Sequence, residues 1–189
     1  MRGDFCPRNQ GLAKDGAGDH SAERNQKMPK IVLAHSGTGK SFCAKNFPTK
    51  FLHLPISPYK YFPKDQVSEN EAEATAGIYP AEIMNPEFPL NYVHALKESL
   101  KKAEHEYILA PSDFGVAHWL EEIKIPYTLV YPEKELKGEY QQRYLNRGND
   151  DRFLGLFVGK WDLIIWMNDI LTPQERIRLS SGQYLGDVL

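Results

Sequence analysis

Gly37-Thr38-Gly39-Lys40-Ser41 gathers two glycines, an amine and a hydroxyl directly behind the apolar run Ile31-Val32-Leu33-Ala34. A short strand that closes on Gly-Lys-Ser is the start of a phosphate-binding P-loop. The glycines let the backbone bend so that successive N–H groups aim at one anion, in conformations a Cβ would forbid. Lys40 would reach the β- and γ-phosphate oxygens, and the Ser41 hydroxyl would hold a magnesium ion. The cradle runs from His35 and Ser36 through Gly37, Thr38, Gly39, Lys40 and Ser41 to Phe42. Its opening position, usually glycine, is Ala34, which removes freedom for positive φ at the strand end.

Two further constellations have the right chemistry for the same ligand. Arg143 and Arg147 are four residues apart in the helix predicted over 135–147 and share one face of it, just before Gly148-Asn149. Paired guanidinium forks suit a lid that closes over a transferring phosphoryl group; the alternative is a solvated basic face paired with Glu139. Asp113 follows an apolar strand as Pro111-Ser112-Asp113, where a carboxylate orients magnesium and its water or caps the next helix. Ser57-Pro58-Tyr59-Lys60-Tyr61-Phe62 lies at the end of a second strand, where ligands gather in open α/β sheets; its aromatics serve equally well to cover the core edge. His94 lies in a helix and receives no role.

Apolar runs and breakers supply the elements that must position these groups. Strands are predicted at Ile31–Ala34, Phe51–Leu54, Glu106–Ala110, Ile125–Pro132 and Arg176–Leu179. Helices are predicted after Ser41 and up to Pro48, from Val93 to Ala103 with Val93, Leu96, Leu100 and Ala103 on one face, and over Phe114–Ile123. A further strongly apolar helix, capped by Asp150-Asp151, is predicted from Arg152 to Met167, with some of its surface available for a subunit contact in a homodimer. Strand and helix alternate, so the expected fold is α/β, a three-layer α/β/α sandwich on a mostly parallel five-stranded sheet.

Composition narrows the class. A chain of 189 residues, 41% hydrophobic and 25% charged, makes one ordinary globular domain, here 28–189. The net charge of −2 indicates no bulk attraction to nucleic acid or anionic membrane. Cys6 and Cys43 form neither a disulfide framework nor a metal-ligand spacing, which fits a reducing cytoplasm. No run is long enough to span a bilayer. Residues 1–27 are polar, lack an apolar signal core and read as a disordered extension ahead of Met28. The acidic stretch 64–77 reads as a solvated loop or mobile helix.

The early P-loop and the arginines past the fourth strand resemble the nucleoside and nucleoside-monophosphate kinase group, adenylate-kinase-like proteins included. Three stretches resemble small phage and prophage P-loop proteins more narrowly: Asn85-Pro86-Glu87-Phe88-Pro89-Leu90-Asn91-Tyr92, Tyr131 through Asn149, and Gly182-Gln183-Tyr184-Leu185-Gly186-Asp187. The resemblance covers about 30–189. It implies a P-loop NTPase fold, ATP with magnesium as donor, and transfer to a small acceptor, such as a nucleoside monophosphate, in a bacterial or phage-infected cytoplasm. Lys40, Arg143, Arg147 and Asp113 would then be catalytic, Ser41 and Asp113 would hold the metal, and Ser57, Tyr59, Lys60 and Tyr92 would meet the acceptor. A nucleoside monophosphate needs no general base, because its phosphate is already ionised; a hydroxyl acceptor would use Asp113. The chain departs from the group near Ser57, where Leu54-Pro55-Ile56 supplies no acid. An ATPase and a nucleotide-binding protein without catalysis are the competing classes.

Overall fold

Strand β1 (Lys30–Ala34) is buried on both sides of its pleat, so its odd and even residues build two different cores. The computed structural model describes residues 28–62 and 83–189; the expectations for 1–27 and for 64–77 lie outside the described residues. After β1 come α1 (Lys40–Asn46), β2 (Phe51–His53), α2 (Ser57–Lys60), α3 (Leu90–Lys102), β3 (Tyr107–Pro111) and α4 (Phe114–Glu122). The chain continues through β4 (Tyr127–Pro132), a 3₁₀ turn (Lys134–Leu136), α5 (Lys137–Asn146), α6 (Asp151–Phe157), α7 (Trp161–Ile170), β5 (Glu175–Leu179) and a closing 3₁₀ turn (Leu185–Asp187).

The five strands pair in the order β2-β3-β1-β4-β5, and every pairing is parallel. The first crossover runs from β1 past β3 to the edge, whereas the later three run the opposite way. Right-handed connections therefore place α1 on one face and the later helices on the other. The cores agree. Ile31 and Leu33 pack with Tyr92 and Leu96 of α3, Val116 and Leu120 of α4, Tyr140 of α5 and Trp161 of α7. Val32 and Ala34 pack with Cys43 of α1, Leu179, and Leu185 of the closing turn. That second layer is thin, and the carboxyl end of the chain completes it, with Lys50 Nζ donating to the Leu189 carbonyl at 3.1 Å.

The expected apolar helix from Arg152 to Met167 is two helices. Asp150 caps the first, accepting from Phe153 N–H at 2.8 Å. The chain then breaks at Val158-Gly159-Lys160, where a Cβ on Gly159 would stand 2.3 Å from the Gly155 carbonyl oxygen. Only glycine tolerates that approach. Lys137–Asn146 likewise replaces the longer helix expected over 135–147, its first turn being 3₁₀. Ala103 leaves the apolar face of α3 to become its left-handed C-cap, at φ 51°. Leu163, Trp166 and Ile170 form an exposed stripe on α7. No described helix is long and apolar enough to cross a membrane.

Candidate functional site

The loop joining β1 to α1 has all its carbonyls turned outward and held. Ala34 O accepts from Ser112 N–H at 3.0 Å and from Lys40 Nζ at 2.7 Å. His35 O accepts from Lys40 Nζ at 2.7 Å and from Thr38 Oγ1 at 2.9 Å. Ser36 O takes the Tyr144 hydroxyl at 3.1 Å, and Gly37 O takes Arg143 Nη1 at 3.3 Å. Leu185 N–H donates to Thr38 O at 2.8 Å, and Cys43 N–H to Gly39 O at 3.0 Å. Main-chain donors behave oppositely. His35 N–H is bound to Val130 O at 2.9 Å, but the N–H groups from Ser36 to Phe42 find no acceptor among the described residues. Those of Lys40, Ser41 and Phe42 are the first-turn donors that a helix leaves unpaired, and those of the half-buried or buried Ser36–Gly39 extend the run back into the loop. A run of unpaired donors facing one concavity is an anion nest. Gly37 at φ +80° and Gly39 at φ +100° make the reversals that build it. Ala34 ends β1 outside the positive-φ region, so its substitution for glycine creates no strain.

The nest opens into a cavity of about 450 Å³, lined by Ser36, Gly37, Gly39, Lys40 and Ser41 of the loop and α1. Arg143, Asn146 and Arg147 at the end of α5 line it too, as do His53, Phe42 and Tyr184. Among the described residues, no carboxylate lines it. Burial, and then the Arg147 charge, press Lys40 down to about 7. An anion seated in the nest would offset the Arg147 charge and replace lost solvation, raising that value. Binding should therefore take up a proton at pH 8, and affinity should fall as the pH rises above 7. Calorimetry of ATP binding in two buffers of different ionisation enthalpy would detect uptake approaching one proton, absent in Lys40→Met. Equal apparent enthalpies in the two buffers would contradict this.

The two arginines occupy different environments. Arg143 is 9% exposed and ion-paired with Glu139. Its guanidinium also donates to Gly37 O and, at 3.0 Å, to Gln183 O. It lies between the rings of Tyr140, at 4.6 Å, and Tyr184, at 4.0 Å. Glu139 is held in turn by the Ser181 hydroxyl at 2.8 Å and by Gly182 N–H at 3.1 Å. Arg143 thus fastens α5 and the closing segment to the loop. Arg147 is exposed and has no carboxylate partner among the described residues. It is the guanidinium free to meet a ligand.

His35 and Thr38 stand in the loop but turn their side chains away from the cavity, and both are fully buried. The imidazole meets the ring edges of Trp161 at 5.5 Å and of Tyr140 and Phe157 at 5.8 Å. Burial and the nearby Lys40 charge hold it neutral, near 3. Tyr144 has one hydroxyl proton, donated to Ser36 O, so its oxygen accepts from His35 Nε2–H at 3.0 Å. Nδ1, which has no partner, is then a bare lone pair rather than a stranded N–H.

Asp113 caps α4: Oδ1 accepts from Gly115 N–H at 3.0 Å and Val116 N–H at 3.3 Å. Its Oδ2 pairs with Lys60 Nζ at 2.9 Å. It does not line the cavity with Ser41. Nor is there, among the described residues, any cluster of three metal-ligating His, Cys, Asp or Glu side chains. The expected acceptor residues meet one another rather than the nest. Tyr59 packs edge-on to Tyr92 at 5.1 Å, and the buried Tyr92 donates to Leu54 O at 2.6 Å. The segments that carry them, residues 57–62 and 85–93, are joined directly, by Asn85 N–H to Lys60 O at 2.9 Å and Asn91 Nδ2 to Tyr59 O at 2.9 Å. Ser57 is exposed at the start of α2.

Sequence reasoning missed His53, Asn146 and Tyr184 in the cavity, and Tyr144 behind it, whereas the pairing with Glu139 that it offered as the alternative to a lid is the one Arg143 makes. His53 had a signal: it ends a strand at the sheet's carboxyl edge. Burial first, then Lys40, lower its pKa. No protein-family model matches the chain, and no curated protein matches it.

Proposed function

We propose that this chain is an ATP-dependent phosphotransferase on a P-loop NTPase fold, transferring a γ-phosphoryl group to a small acceptor, most simply a nucleoside monophosphate. One observation carries the reading: the unpaired N–H groups from Ser36 to Phe42, each adjoining carbonyl being held outward. These amides and Lys40 would bind the β- and γ-phosphates, and Arg147 would neutralise charge that builds on the transferring group. Ser41 would hold a magnesium ion, with phosphate oxygens and water filling the remaining positions, as this cation usually prefers. A magnesium ion held there would supply charge neutralisation on the phosphate oxygens. Arg143 would position the loop rather than close as a lid, and Asp113 would support the acceptor side through Lys60. Such an enzyme belongs in a reducing cytoplasm, and a homodimer would bury the Leu163, Trp166 and Ile170 stripe.

The test is ADP formation with magnesium across a panel of ribo- and deoxynucleoside monophosphates and nucleosides, with Lys40→Ala beside wild type. Turnover that depends on one acceptor and disappears in the variant supports a kinase. Acceptor-independent ADP release points to an ATPase. Among the described residues the cavity is lined by cations, amides and rings but by no carboxylate, which favours a second reading, nucleotide binding without transfer. ATP binding with no turnover across the panel would select it.

A further inference from the structure

Tyr184 is 47% exposed, yet it is one of the most firmly placed side chains at the cavity. Its N–H donates to Asp187 Oδ2 at 2.7 Å, and the next N–H, of Leu185, is fixed to Thr38 O of the loop. Arg143 packs on its ring at 4.0 Å and also holds the preceding carbonyl, Gln183 O, at 3.0 Å. The ring therefore stands beside the phosphate nest with a cation behind it and its remaining surface toward solvent. Arg143 and the Gly39 backbone account for part of the ring's surroundings, and close to half of the residue stays exposed at the rim of the cavity. An aromatic face at such a place suits a flat, uncharged ring system, sequence-tolerantly, because every nucleobase has a π-face.

We propose that the nucleobase of the bound triphosphate stacks on the free side of Tyr184, with Arg143 behind it. The ligand class is thereby a nucleotide with an aromatic base rather than a bare polyphosphate or a phosphorylated sugar. This inference rests on the triphosphate-binding reading above. It also explains why the closing segment Gly182–Asp187 is fastened to the loop, since that segment carries the base platform to the nest. Stacking loses no ligand charge and needs no rearrangement, because Tyr184 is already held in place.

The test compares equilibrium binding of Mg–ATP and Mg–tripolyphosphate to the full chain, by calorimetry, for wild type, Tyr184→Ala, Tyr184→Phe and Phe42→Ala. Wild type is expected to prefer ATP by about tenfold or more. Tyr184→Ala is expected to remove that preference while leaving tripolyphosphate affinity unchanged, and Tyr184→Phe to keep it. Equal wild-type affinity for the two ligands overturns the proposal without any variant. So does an equal loss of both ligands in Tyr184→Ala, which marks a purely structural role, or a larger loss of preference in Phe42→Ala. If wild type binds neither ligand, the triphosphate reading itself fails, and this proposal with it.

Discussion

Gly37→Ala is expected to abolish measurable ATP binding and to lower Tm by about 5–15 °C. At φ +80° an L residue is strained by roughly 1–2 kcal/mol. The new Cβ would lie 2.8 Å from Tyr144 Cε1, inside any tolerable contact. That ring cannot swing aside cheaply. It is buried, its hydroxyl holds Ser36 O and meets His35 Nε2, and Phe153 packs against it at 5.1 Å. Forcing a methyl group into such a core costs about 1–3 kcal/mol. In a chain of this size each kcal/mol moves Tm by about 2–4 °C. The function suffers more than the stability, because relieving the clash means turning the Ser36 or Gly37 peptide, which breaks the inward array of N–H groups. Scanning calorimetry and an ATP titration on the same preparation would check both halves. Wild-type affinity in the variant would show that the nest does not hold the ligand.

The second large effect separates two residues that look equivalent in sequence. Arg147→Ala should leave Tm within about 2 °C, since surface changes away from packing or pairing are nearly neutral. Its turnover should fall about a hundredfold or more, the scale on which a guanidinium stabilises a transferring phosphoryl group. Arg143→Ala should do the reverse in emphasis. It deletes the donors to Gly37 O and Gln183 O and leaves Glu139 facing its remaining partners. We expect a loss of about 2–3 kcal/mol, seen as a Tm drop of several degrees, together with weaker ATP binding. Arg143→Lys should rescue little, because one ammonium cannot bridge a carboxylate and two carbonyls while stacked between two rings. Thermal denaturation and steady-state kinetics on the three variants decide it. If Arg147→Ala were the destabilised protein and Arg143→Ala the stable one with low turnover, the assignment of roles would be reversed.

The loop was legible in sequence because its determinants are contiguous: small residues for the bend, an amine and a hydroxyl at fixed offsets, and an apolar strand before them. The strands were legible for a similar reason, as short β-branched and aromatic runs bounded by Pro and Gly. His35 was read as part of the cradle, although its place on the odd-numbered face of Ile31 and Leu33 points its side chain into the helical core. What escaped depended on distant partners. Arg143 reads as a lid residue until Gln183 O, forty positions on, is brought beside it. Asp113 reads equally as metal ligand or helix cap; it is the cap, and what escaped is that Lys60, from another crossover, takes its other oxygen. The helix over 152–167 kept its apolar periodicity through the break, and only the close approach at Gly155 and Gly159 shows that the chain turns there. Tyr184 lies in a short polar segment with no periodicity, and its place at the cavity depends on distant partners, Thr38 O for Leu185 N–H and Arg143 for Gln183 O.

The measurement that bears most directly on the function is an equilibrium titration of Mg–ATP into the purified full chain, with Lys40→Ala as the paired variant. Lys40 is the cation that closes the loop on itself through Ala34 O and His35 O, and the one placed to turn toward a triphosphate. Saturable single-site binding in wild type, weakened at least about a hundredfold by Lys40→Ala, is the expected result. No saturable binding in wild type, or the same affinity in both proteins, would mean that the Ser36–Phe42 amides do not serve a triphosphate.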